Sequence, residues 1–151
     1  MRKITLPNDF LSEAARALAE GQKVKIHITG ESMYPFIRSG KDVVEIVPCP
    51  PSGELPAWCC PFYRWEGRYM VHRYIGREGD DCLMLGDGNL VRIERIKRNE
   101  VIGLLRYIYR PDGSVQDCTD ARWLRRGAWW HRLRPLRRWL LPVMKRLGIS
   151  L

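Results

Sequence analysis

The sequence has no long apolar run. A membrane-spanning helix needs about 20 consecutive apolar residues, so none is expected. Near the N-terminus Arg2 and Lys3 are followed by Asn8, Asp9 and Glu13, which break the apolar stretch that a secretory signal would require. The cysteines, at positions 49, 59, 60, 82 and 118, are odd in number and show no Cys-x-x-Cys spacing. Neither a disulfide framework nor a zinc site is supported, and no metal or cofactor is expected. These absences together point to a reducing, cytoplasmic setting. Acid is also missing from one end, because residues 121–151 contain no Asp or Glu.

A chain of 151 residues with 45% hydrophobic residues is the size of one domain and can build a core. The net charge is +9, unevenly spread. Residues 1–120 carry 17 basic and 17 acidic residues and balance, whereas residues 121–151 carry the remaining nine of the 26 basic residues. The chain therefore reads as a neutral body, 1–120, followed by a cationic tail, 121–151.

Apolar residues at helical spacing (Phe10, Leu11, Ala14, Ala15, Leu18) predict a helix over 9–20, with Asn8 or Asp9 as cap and Gly21 as its end. From 23 to 29 the period changes to two, with Val24, Ile26 and Ile28 alternating with polar residues, which predicts a half-buried strand. His27 lies on its polar face and is read as solvated. Further strands are expected at 42–47, 68–75, 82–85 and 101–109, with Pro111-Asp112-Gly113 as a turn. Pro61 within 57–62 argues for an edge strand or a loop there. The predicted class is mainly β with a short N-terminal helix.

Two segments carry chemistry. The first is Gly30-Glu31-Ser32-Met33-Tyr34-Pro35, leading through Gly40-Lys41-Asp42 into a strand. The second is Val71-His72-Arg73-Tyr74-Ile75-Gly76-Arg77-Glu78-Gly79-Asp80. A serine hydroxyl is a poor nucleophile unless a nearby base takes its proton, and these segments supply both groups. If Gly79-Asp80 form a two-residue hairpin turn, Glu78 pairs with Asp81 and His72 falls opposite Asp87, within reach to orient its imidazole. A slip of one residue would put them on opposite faces.

The two segments resemble the active-site boxes of the signal peptidase I and LexA superfamily, serine peptidases whose serine sits in a Ser-Met-x-Pro segment. The second is similar to the bacterial signal peptidase pattern Lys-Arg-x-Ile-Gly-x-x-Gly-Asp, with His72 in place of the lysine, as in the histidine-type branch. Gly86-Asp87-Gly88-Asn89 resembles the family's Gly-Asp-Asn box. The resemblance implies a LexA/signal-peptidase-like β fold and a serine endopeptidase acting on a leader or signal-like peptide. Ser32 would be the nucleophile, His72 the general base and Asp87 the orienting acid. A second acidic candidate, Glu94, comes only from the family resemblance that these segments carry. It further implies that Gly30, Met33, Pro35 and Arg73 lie on the oxyanion and substrate-binding side. Many relatives place a Ser or Thr where this chain has Gly30, so the oxyanion would rely on backbone donors such as the Ser32 amide. A self-cleaving repressor reading finds no room for a DNA-binding module before the first strand. The alternative is a catalytically silent peptidase-fold domain that binds peptide, membrane or nucleic acid through its tail.

In the tail, Leu133, Leu136, Trp139, Leu140, Val143, Met144 and Leu147 fall within one helical arc of about 140°, with Arg134, Arg138 and Lys145 outside it. This predicts a basic amphipathic helix, started by Pro135 and kinked or interrupted at Pro142. Such a helix either lies on an anionic membrane surface, placing the protein peripherally on the inner face, or packs its apolar arc on the body. Nucleic acid is the less favoured partner.

Overall fold

Alternation of buried and half-buried residues runs along Val101–Tyr109, the longest strand of the chain. The computed structural model describes residues 7–151, with side chains from residue 10 onward. It is mainly β, with a curled antiparallel sheet, a short N-terminal helix and C-terminal helices. Helix α1, Pro7–Ala19, buries Ala14, Ala15 and Leu18. It begins at Pro7, which suits a first helical position, so Asn8 and Asp9 lie inside the first turn rather than before it. Strands β1 (Val24–His27), β2 (Val43–Pro48), β3 (Pro61–Trp65), β4 (Arg68–Val71), β8 (Val101–Tyr109) and β9 (Val115–Asp117) form one sheet in the order β1-β2-β8-β3-β4, with β9 added to β8. Strands β5 (Arg73–Glu78), β6 (Asp81–Leu85) and β7 (Ile93–Lys97) form a second.

The segment expected as one strand over 68–75 is broken at His72, where the chain leaves β4 in the first sheet and enters β5 in the second. Pro61 opens a strand that lies between β8 and β4, not at an edge. A proline is tolerated there because it is the first residue, where the missing N–H removes little from the ladder.

The tail is two helices, α2 (Ala121–Arg132) and α3 (Arg137–Leu147), joined by a 3-10 turn, Arg134–Leu136. Asp120 caps α2, its carboxylate accepting from the Arg122 amide at 2.9 Å. The break falls at this turn, while Pro142 sits within a continuous α3. Both helices enter the core. Trp123, Trp130 and Leu141 share one buried cluster with Leu18, Met33, Phe36, Ile46 and Ile108. The expected apolar arc is split: Leu133, Leu140 and Met144 pack inward, while Leu136, Trp139, Val143 and Leu147 face outward. The inward row is completed by Arg137, only 1% exposed.

Candidate active site

His72 is buried at the corner between the two sheets. Its Nδ1 is hydrogen-bonded to Oε1 of Glu94, a fully buried carboxylate on β7. Tyr63, on β3, donates its hydroxyl to the same Glu94 oxygen at 2.9 Å and lies 3.1 Å from Nδ1. A carboxylate only accepts, so the hydrogen between His72 and Glu94 belongs to the imidazole. That fixes the tautomer with Nδ1 protonated and leaves Nε2 as the basic nitrogen. Among the described residues Nε2 has no hydrogen-bond partner, and it is not sealed from solvent. Burial, and then the neighbouring Glu94 charge, push the Tyr63 phenol well above its ordinary value, so it remains a donor.

Asp87 does not orient His72. Its carboxylate is held by Arg73, with Nε to Oδ1 at 2.9 Å and Nη2 to Oδ2 at 2.8 Å, both side chains being 1% exposed. The cause is a bulge. The hairpin opens with the expected pairs Glu78↔Asp81, Arg77↔Cys82 and Gly76↔Leu83, then shifts by one residue to Tyr74↔Met84 and Arg73↔Leu85. The pairing ends there, one residue short of His72, and the shift takes Asp87 out of the register that would have faced it. Gly76, at φ +143°, sits at the shift, where an isolated glycine inside a strand signals a bulge. Glu94 reaches the site because β7 pairs with β6, Met84 facing Glu94.

Gly86 also meets the serine segment. A Cβ on Gly86 would lie 2.5 Å from the Ser32 carbonyl oxygen, and the Gly88 amide donates to that oxygen at 2.8 Å. The Gly86–Asn89 loop thus pins the Ser32 backbone against the end of β6. Ser32 itself is half-exposed, and its hydroxyl makes no hydrogen bond to any described residue, His72 included. Its amide also donates to none of them, which leaves it free for a developing oxyanion.

The other expected site residues are mostly structural. Met33 is 2% exposed and Pro35 is buried, its carbonyl accepting from the Leu151 amide at 2.9 Å. The Tyr34-Pro35 peptide bond is cis. Arg73 lies between the rings of Phe36 and Trp123, 4.6 and 4.5 Å from their centroids, and its Nη1 donates to the Trp58 carbonyl at 2.8 Å. These side chains turn inward and brace the site; they present no surface to a substrate. Gly30 is exposed and has open space for a side chain, but its φ of +84° disfavours any L-residue. Backbone conformation therefore accounts for the missing hydroxyl at this position.

Sequence reasoning missed Tyr63 and the bracing role of the tail. Trp130 Nε1 donates to the Asp87 carbonyl at 2.8 Å, and Arg137 Nη1 donates to the Asn89 carbonyl at 2.9 Å. Burial lowers the Arg137 guanidinium to about 10. Gly127 in α2 leaves room for the Arg73 guanidinium, which a Cβ there would strike. No residue of the tail other than Gly127 signals this contact. All five cysteines are free thiols, and among the described residues no helix is long and apolar enough to cross a membrane. The chain matches no family model, no curated protein and no solved structure.

Proposed function

We propose that this chain is a serine endopeptidase of the histidine-type signal-peptidase kind, with Ser32 as nucleophile, His72 as general base and Glu94, in place of Asp87, as the orienting acid. The observation that carries the reading is the buried His72–Glu94 pair, backed by Tyr63, with Nε2 left unpartnered. A histidine held this way presents its unpartnered nitrogen as the proton acceptor.

In the reaction, Ser32 Oγ attacks the scissile carbonyl carbon as its proton passes to His72 Nε2. The negative charge that develops on the carbonyl oxygen is met by the Ser32 amide. Collapse of the tetrahedral intermediate breaks the C–N bond, and the proton on Nε2 goes to the leaving amine. Water then attacks the acyl-Ser32 ester, giving its proton to Nε2; the ester C–O bond breaks, Nε2 returns that proton to Ser32 Oγ, and the product leaves with a free carboxyl group. Glu94 stabilises the imidazolium in both halves.

An extended peptide substrate suits the geometry. Strands β1 and β4 end the main run of the larger sheet, and the first runs toward Ser32 while the second leads into His72. Unpaired edges accept an added strand. A leader or signal-like segment is such a peptide. The free thiols suit a reducing, cytoplasmic setting. Mass-spectrometric sequencing of products from a library of extended peptides tests the reading: the wild type should yield new termini, and Ser32→Ala should yield none.

The unpaired Ser32 hydroxyl favours one second reading, a peptidase-fold domain that binds peptide without cleaving it. The same library separates the two, because a binder would retain peptides uncut. In unliganded enzymes catalytic hydrogen bonds are often looser than in the working complex, and this keeps the peptidase reading first.

A further inference from the structure

The C-terminal helix has two faces with different employment. Its inner face serves the core and the candidate site: Leu141 and Arg137 are buried, Lys145 pairs with Glu31, and the Tyr34 hydroxyl donates to the Ile149 carbonyl at 2.5 Å. Its outer face carries Leu136, Trp139, Val143 and Leu147, exposed by 47, 57, 55 and 66%. Spacings of three, four and four residues keep them on one stripe, because each step returns to within about 60° of the last. Apolar side chains this exposed and aligned on one helix mark a contact surface rather than scattered exposure.

The charges beside the stripe narrow its partner. Arg146 projects next to it and has no hydrogen-bonded partner among the described residues. The Arg138 guanidinium lies over the Trp139 ring, 4.0 Å from its centroid. No acid occurs in residues 121–151. A second copy of this face would set arginine against arginine, which opposes self-association. Nucleic acid would need stacking rings, but the stripe offers Val and Leu, and its one ring is already covered by a guanidinium.

We infer that this stripe, flanked by Arg138 and Arg146, seats the protein on an anionic lipid bilayer, with Trp139, Val143 and Leu147 in the headgroup and acyl boundary. The combination of Trp and aliphatic residues with uncompensated arginine is what an interfacial helix requires. The inner face of the helix ties directly to Glu31 and Tyr34, so a seated molecule holds the serine segment close to the lipid surface. The inference does not depend on peptide cleavage.

Co-sedimentation of the full chain with vesicles tests it, using equimolar phosphatidylcholine and phosphatidylglycerol against phosphatidylcholine alone. The wild type should pellet with the anionic vesicles and much less with the neutral ones. Replacing Trp139, Val143 and Leu147 together by Ser should weaken binding about tenfold or more, since their apolar contact is lost. These positions are exposed, so the fold is retained; Arg138→Gln with Arg146→Gln, a second variant, should weaken anionic binding and its salt dependence. The inference is overturned if the wild type fails to pellet with anionic vesicles or pellets equally with neutral ones, or if either variant binds as the wild type does. Binding of a single-stranded oligonucleotide without vesicle binding overturns it in favour of nucleic acid.

Discussion

Nδ1 of His72 donates to the carboxylate of Glu94, 22 residues further along the chain. Tyr63 bonds to the pair, and Glu94 Oε2 has no partner among the described residues. A buried carboxyl group needs hydrogen-bond partners around it, here an imidazole and a phenol. Glu94→Gln preserves shape but removes the charge that stabilises the imidazolium and fixes the tautomer. We expect kcat for peptide cleavage to fall on the order of 10³- to 10⁴-fold with KM little changed, as when a triad acid is replaced by its amide. Steady-state kinetics on a cleaved peptide would check this.

Asp87 has a different task, and its substitution should tell in a different measurement. Asp87→Ala leaves the Arg73 guanidinium buried without its bidentate partner. Breaking a buried pair from one side costs about 3–5 kcal/mol. Urea denaturation should show a loss of that order, larger than for Glu94→Gln.

Gly127→Ala offers a test of the link between tail and body. On helix propensity alone alanine should stabilise α2 by about 1 kcal/mol. The added Cβ would strike the Arg73 guanidinium, however, and Arg73 is fixed by Asp87, Trp58, Phe36 and Trp123. Overpacking of this kind costs about 1–3 kcal/mol, so the net change should be destabilising. A lower thermal midpoint would bear this out; a higher one would mean that the helix is free to move off Arg73.

Alkaline pH should weaken the fold. Burial raises the Cys60 thiol from 9.0 to about 12, and it raises Cys59 and Cys118 as well. In the unfolded chain these thiols ionise near pH 9, while in the native state they stay protonated. Between those values the native state binds more protons, so stability is fully present below about pH 9 and falls as pH rises beyond it, by up to about 1.4 kcal/mol per pH unit for each thiol. Denaturation midpoints from pH 8 to 11 should decline accordingly. At pH 8 a thiol reagent should reach the half-exposed Cys49 first, the other four being buried.

The body of the fold was legible where periodicity was clear. Strands β1, β2 and β8 fall within a residue or two of their expected ranges because short runs rich in Val, Ile, Leu and Tyr mark them. Strand β7 was not anticipated, since Ile93-Glu94-Arg95-Ile96-Lys97 carries only two apolar residues; Glu94 is buried for its partner, not for hydrophobicity. Ser32 and His72 were candidates from their segments alone. Which of Asp87 and Glu94 lies against His72 was not legible, because a bulge at Ile75 shifts the hairpin by one residue and register is a property of two strands at once. The tail misled for a similar reason. Arg137 sits on the inward row of α3 and is buried by carbonyls of a loop some 50 residues away in sequence, at Gly86 and Asn89.

Gly86, directly after β6, packs against the serine segment. Its hydrogen is all that fits against the Ser32 carbonyl. In Gly86→Ala the serine segment must move, and reaction of Ser32 with any electrophile should drop on the order of 100-fold, because displacement of about 1 Å is enough to cost that much.

The central claim is that Ser32 is a nucleophile activated by His72. Treating the protein with a fluorophosphonate and mapping the adduct by peptide mass spectrometry tests this directly. The account predicts a single adduct on Ser32, abolished in Ser32→Ala and strongly reduced in both His72→Ala and Glu94→Gln. Absence of any adduct on the wild type, or labelling that persists unchanged in Ser32→Ala, would contradict it.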